Sequence, residues 1–246
     1  MKINLLNKIY AAVAITLVFG TIYKIVAYKS WDRYYYYSNA CTPSSYPIYL
    51  RNSYFITADE DDFSWIDNEK VENFSTYWGD GSFPEVRERM RLPQKIVLQY
   101  VSYRDDKFYN DTISLPEAKI KSIFKSAKKN NQLEEIYRAG GDVKGLKFLV
   151  GISNDGNIIV WLRGKFLEEK ILNIKLHDKE PRNDQMHFKE KLSKEVYLEK
   201  VFENLSDSLK NKIKSGWDSQ ANYIDTPTNY IDRNRERWEK NNKKNY

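Results

Sequence analysis

Apolar and polar positions alternate most clearly across residues 145–164, GLKFLVGISNDGNIIVWLRG, where two hydrophobic runs flank Asn154-Asp155-Gly156. A glycine-bearing turn between alternating runs signals a β-hairpin. A two-residue loop would pair Ile152 with Ile159 and set Phe148 opposite Arg163. A three-residue loop instead pairs Ile152 with Ile158, Val150 with Val160 and Phe148 with Leu162. The second register gathers the large aliphatics on one face, and a one-residue slip would scatter them. The expected turn is therefore of type I followed by Gly156 in the left-handed region. Six such side chains at about 1.5–3 kcal/mol each reach roughly 10 kcal/mol, comparable with the net stability of a whole domain. This hairpin should be the core.

The same pattern predicts a first strand at 46–57 and a second hairpin, 94–103 with 107–114, around Arg104-Asp105-Asp106. Ser114-Leu115-Pro116-Glu117 has the form of a capping box. It predicts a helix whose Ile120, Ile123, Phe124 and Ala127 pack on the sheet, with Lys125, Lys128 and Lys129 complementing its negative end. Residues 165–176 read as a further strand with Leu172, Ile174 and Leu176 inward. Across 193–215, Leu198, Val201, Phe202, Leu205, Leu209 and Ile213 recur at helical spacing, predicting a single helix stopped by Gly216. From Thr228 the chain is basic. It is expected to remain a solvated terminus, with a short helix docked through Tyr230 and Trp238 as the alternative.

Residues 9–28 are apolar apart from Lys24, and twenty helical residues reach about 30 Å, enough to cross a bilayer core. Lys24 can snorkel toward headgroups, and Trp31, Tyr34 and Tyr35 follow as membrane-interface aromatics. Signal cleavage or lipidation at Cys41 is disfavoured because the apolar run ends at least twelve residues earlier. A buried core helix is disfavoured because no polar face interrupts residues 9–23. Orientation is undecided, since Lys2 and Lys8 are balanced by Lys29 and Arg33. The small polar run SNACTPSSYP at 38–47 reads as a linker. The expected organisation is a membrane anchor at 1–30, an interfacial segment and linker at 31–45, an α+β domain at 46–216 and a basic C-terminal tail at 217–246.

Composition adds limits. The chain has 246 residues, 41% hydrophobic and 15% aromatic, which suits a strand-rich domain with one substantial core. The net charge of +6 is spread along the chain and forms no basic stripe, so no nucleic-acid partner is expected. One cysteine excludes an internal disulfide framework, and neither His177 nor His187 stands in a metal-ligand pattern. The acidic run Asp59, Glu60, Asp61 and Asp62 is no calcium loop, because Phe63 and Lys70 occupy ligand positions. It reads as a solvated loop or as a docking patch for a cationic partner. Tyr77 and Trp78 either plug the core edge or present a contact surface. No nucleophile elbow, phosphate loop, dinucleotide fingerprint or zinc-protease motif is present, so neither an enzyme nor a cofactor is expected.

Leu92-Pro93-Gln94-Lys95-Ile96, Tyr100, Ser102, Phe108-Tyr109, the Leu115-Pro116 helix start and the hairpin from Gly145-Leu146 to Val160-Trp161-Leu162-Arg163-Gly164 carry a resemblance. Over roughly residues 45–215 the chain resembles an uncharacterised bacterial family, domain of unknown function 2931. The resemblance implies an α+β domain in the cell envelope. Many members look like lipoproteins or signal-bearing proteins, and some are encoded beside secreted antibacterial toxins such as type VI phospholipase effectors, which suggests immunity proteins. This chain departs from the lipoprotein pattern at its N-terminus, and the family supplies no catalytic residues. The expectation is an α+β protein with an N-terminal transmembrane helix, a mostly antiparallel sheet and two packed helices. It would cross the bacterial inner membrane once and hold a protein-binding domain on the periplasmic side, with a toxin as partner. The alternatives are an envelope maintenance protein touching lipid or peptidoglycan, and an enzyme of unrecognised type.

Overall fold

A computed structural model describes residues 4–59, 63–67, 71–73, 75, 78–81, 86, 88–179 and 192–244. The first element is helix α1 (Leu5–Tyr28). Strands β1 (Tyr36–Cys41), β2 (Ile48–Leu50), β3 (Tyr54–Thr57), β4 (Phe63–Trp65), β5 (Pro93–Ser102) and β6 (Lys107–Ser114) precede helix α2 (Glu117–Lys129). Strands β7 (Glu134–Ile136), β8 (Val143–Ser153), β9 (Asn157–Gly164) and β10 (Leu167–Lys175) follow. Helices α3 (Lys194–Val201), α4 (Asp207–Lys214) and α5 (Tyr230–Lys244) close the chain. One sheet runs β1-β8-β9-β10 with β7 on β8; the other runs β2-β5-β3-β4 with β6 on β5. Every pairing between these strands is antiparallel except β1 with β8.

The β8–β9 hairpin takes the three-residue loop, with Ile152 opposite Ile158, Val150 opposite Val160 and Phe148 opposite Leu162. Its turn differs from the expected form, because Asp155 (φ 58) joins Gly156 (φ 77) in the left-handed region. Asp155 tolerates that conformation where local contacts hold it. Its N–H donates to Asp105 at 3.1 Å, and its carboxylate lies between Lys107 and Lys175. Gly156 has no alternative, since a Cβ would come within 2.4 Å of the Leu176 carbonyl.

The inner faces of both sheets and α2 share one core. Phe148 is its centre, with ring centroids 5.2 Å from both Tyr36 and Phe55 and 6.3 Å from Phe124. The opposite face of the first sheet is also covered, through Cys41, Leu149, Ile159 and Trp161 packed with Trp78 and Tyr223. A sheet buried on both sides explains why 148–152 and 158–162 read as nearly unbroken apolar runs.

Several expectations are corrected. The segment read as a linker contains β1, wholly buried and parallel to β8. Its small side chains suit a strand enclosed on both faces: Ser38 meets Ser64 at 3.2 Å, and Cys41 lies beside Gly151. The single strand expected at 46–57 is two, because the buried Ser53 takes β5's Gln99 N–H on its hydroxyl and Ile66 N–H on its carbonyl. Ser114 ends β6 opposite Lys95 instead of capping α2, and Glu117 accepts from Gln94 at 2.8 Å. The helix expected at 193–215 breaks into α3 and α4, because Ser206 caps the second by accepting Leu209 N–H at 3.3 Å. The basic tail is not a solvated terminus: α5 docks through Tyr230, Asn234 and Trp238, all buried. The domain therefore carries four described helices, not two.

Two outcomes follow. Phe148→Ala should cost about 3–5 kcal/mol, read as a lowered urea midpoint at unchanged slope, because a fully buried ring is removed. Cys41 is fully buried and its thiol is pushed up to about 12 by burial, so it should resist a thiol reagent in the folded chain and react fully in denaturant.

Candidate functional site

Helix α1 has 24 residues, about 36 Å of rise, and none of them is buried. Asn4 caps it by accepting Asn7 N–H at 2.9 Å. Thr16 and Thr21 return their hydroxyls to the helix, donating to the Ala12 and Leu17 carbonyls at 3.0 and 2.8 Å. An apolar rod with its polar groups satisfied internally is what a bilayer accepts. Lys24 is exposed in its last quarter, and Trp31, just beyond its end, is 62% exposed.

Tyr34 and Tyr35, expected at the membrane interface, are built into the domain. Tyr34 exchanges backbone hydrogen bonds with Met90 at 2.8 and 2.9 Å, and its ring lies 5.0 Å from Phe124. The Tyr35 carbonyl accepts Leu146 N–H at 3.4 Å, and its hydroxyl accepts from Arg138. Backbone pairing starts within a few residues of the helix end, so the sheet holds both residues in place.

That entry is pinned by charge. Lys29 closes α1 in the left-handed region, and Ser30–Asp32 forms one tight turn. The Arg33 guanidinium lies 4.2 Å over the Tyr28 ring, donates to the Tyr28 carbonyl at 2.8 Å and meets Asp59 at 2.5 Å. Arg91 meets Asp32 at 3.0 Å and Asp59 at 3.8 Å, and Lys121 of α2 meets Asp32 at 2.6 Å. Arg89 donates back to the Arg33 carbonyl at 2.6 and 3.0 Å. Asp59 is thus engaged in holding the junction instead of offering a free docking charge. Glu60, Asp61, Asp62 and Tyr77 lie outside the described residues. Trp78 is corrected as a contact residue, for it is fully buried, with Nε1 donating to the Tyr223 carbonyl at 2.9 Å and its ring 5.1 Å from Trp161.

Sequence reasoning missed a second cluster on the rear face of the first sheet. Lys147 and Arg163 stand directly opposite in the β8–β9 pairing, 5% and 0% exposed. Like charges so placed repel and lose hydration, so acceptors must surround them. Arg163 donates to Glu168 at 2.7 Å and to the Gly79 carbonyl at 2.8 Å, and Lys147 donates to the Asp80 carbonyl. Tyr230 of α5 lies under the Arg163 guanidinium at 4.4 Å and gives its hydroxyl hydrogen to Glu134 at 3.0 Å, where Trp238 also donates at 3.2 Å. The signal was available: a register that sets Phe148 against Leu162 also sets Lys147 against Arg163. With α5 over it, this cluster is a closed part of the interior. Among the described residues no group of three or more His, Cys, Asp or Glu could hold a metal.

A family model described as "Protein of unknown function (DUF2931)" matches residues 27–217, from the last turn of α1 to just past α4. No curated protein and no solved structure matches.

The buried pair makes stability depend on pH. Burial first, and the Arg163 charge second, push Lys147 down to about 8 from 10.5, while Glu134 and Asp80 pull the other way. Between those values the unfolded chain holds a proton that the folded chain has released, so stability rises with pH, by about 3 kcal/mol at most. Above about pH 9 unfolded tyrosines begin to ionise while the buried Tyr37, Tyr46, Tyr100, Tyr109, Tyr197 and Tyr230, raised first by desolvation, do not, and stability falls again. Urea titrations should show a rise from about pH 7.5 to 9 that Lys147→Met abolishes. An equal rise in the variant would refute the assignment.

Proposed function

The chain belongs to the DUF2931 family, and from that premise we propose that it is a single-pass membrane protein that holds a non-catalytic, protein-binding domain on the extracytoplasmic face of the bacterial inner membrane. The observation that carries this reading is α1: apolar, long enough to span, unburied along its whole length and continuous with a folded domain. In water such a surface would aggregate, whereas hydrocarbon accommodates it.

For the domain itself, the reading rests on what is left exposed. The outer face of the second sheet carries Trp65, 61% exposed, with its ring 4.8 Å from Tyr54 across the β3–β4 pair. Tyr137 is 51% and Tyr49 39% exposed. Exposed aromatics of this kind are common anchors of protein interfaces. The toxin-adjacent genes implied by the resemblance make a secreted antibacterial toxin the partner class, and this chain its immunity protein.

Membrane fractions should retain the full chain through alkaline carbonate extraction, and external protease should reach the domain in spheroplasts. Full-length protein should capture the product of the adjacent gene, and Trp65→Ala should weaken that capture at least tenfold with little loss of fold stability. Recovery of the chain in the carbonate supernatant would overturn the anchor. Retention in the membrane without any captured partner would overturn the immunity reading and favour an envelope maintenance role.

A further inference from the structure

We infer that the pinned junction is a lipid-reading collar, in which cations around the end of α1 bind the headgroups of anionic phospholipids; the inference rests on the membrane reading above. Geometry puts the domain in the headgroup layer. Arg33 is separated from α1 by a single tight turn, yet its guanidinium folds back onto the ring and carbonyl of Tyr28, the last residue of the helix. Whatever depth Tyr28 occupies, Arg33 shares it. Arg89 is tied to the Arg33 carbonyl, Arg91 to Asp59 and Asp32, and Lys121 to Asp32, so the edge of the domain lies at the same level.

Charge then decides what that edge prefers. Lys24, Lys29, Arg33, Arg89, Arg91 and Lys121 face Asp32, Asp59, Glu117 and the exposed Glu88 among the described residues near the junction, so cations outnumber carboxylates six to four. The two aspartates hold Arg33, Arg91 and Lys121, whereas Lys24, Lys29 and Arg89 make no ion pair among the described residues. Lys29 and Arg89 are both exposed. Excess cations held within about one Debye length of a surface attract anionic lipid into the adjoining layer, and that attraction is screened by salt. Trp31 beside them would sit among glycerol and headgroups, as interfacial tryptophans do. The aspartates act as positioning residues, fixing a fan of cations that a flexible linker would let disperse.

The test uses the full chain reconstituted in nanodiscs of phosphatidylcholine and phosphatidylglycerol, with a trace of dansyl label on the headgroup of one lipid or the other. Energy transfer from tryptophan reports which lipid adjoins the protein. Transfer to labelled phosphatidylglycerol should exceed that to labelled phosphatidylcholine at least twofold at about 0.1 M salt and become equal near 1 M. Lys29→Gln, whose side chain makes no described contact, should reduce the preference, and Lys29→Gln with Arg89→Gln should abolish it. Equal transfer to both lipids at low salt, or an unchanged preference in the double variant, overturns the collar while leaving the anchor intact. Failure of the chain to enter the discs overturns both.

Discussion

The pairing of β8 with β9 constrains everything else in this domain. Because side chains alternate along a strand, one register sends Phe148, Val150 and Ile152 to the core shared with the second sheet and α2. The same register sends Lys147, Leu149 and Gly151 to the rear face, where Trp78, Tyr223 and α5 must cover them. A slip by one residue would drive a lysine into the aromatic core and phenylalanine toward Asp80. Gly151 shows how tight the arrangement is, since a Cβ there would meet the rings of Trp161 and Trp78 at 2.5 and 2.7 Å. The turn is equally committed: Asp105 from the other hairpin grips it through the Asp155 N–H, so the tips of the two sheets are registered against each other.

What could be read from the residues divides along the range of the interactions. The β8–β9 and β5–β6 hairpins were legible because turn and alternation are local. Strand β1 was not, because its partner β8 lies more than a hundred residues away in a parallel pairing, and Ser38, Asn39 and Ala40 look like linker when neighbours are unknown. The break between α3 and α4 was hidden by an apolar spacing that continues through it, although Ser206 and Asp207 formed a start signal inside the run. Docking of α5 hinged on Tyr230 and Trp238, whose aromatic character showed but whose receiving groups, Glu134 and Arg163, are distant in sequence. At the N-terminal end, the helix was plain from hydropathy, whereas the roles of Asp59, Tyr34 and Tyr35 required the contacts themselves.

The buried Lys147–Arg163 pair is expensive and yet wholly enclosed. Isosteric apolar residues would pack there without the loss of hydration, so charge at these positions is poorly explained by stability alone. It does give the rear face a specific complement: Tyr230 lies over Arg163, Thr228 donates to Glu168 and Arg233 pairs with Asp80. Such a requirement favours one seating of the C-terminal helix over others of similar greasiness. The family match stops at residue 217, so this cover is contributed by a stretch beyond the matched region.

The brevity of the stretch between Tyr28 and Tyr36 has a mechanical corollary. A body of this size is roughly 40 Å across, and under the proposed membrane anchoring it sweeps, without a leash, only a slab of that thickness above the lipid. Encounters with another membrane-embedded molecule then become a lateral search in two dimensions, while a target farther out has to travel inward to be met.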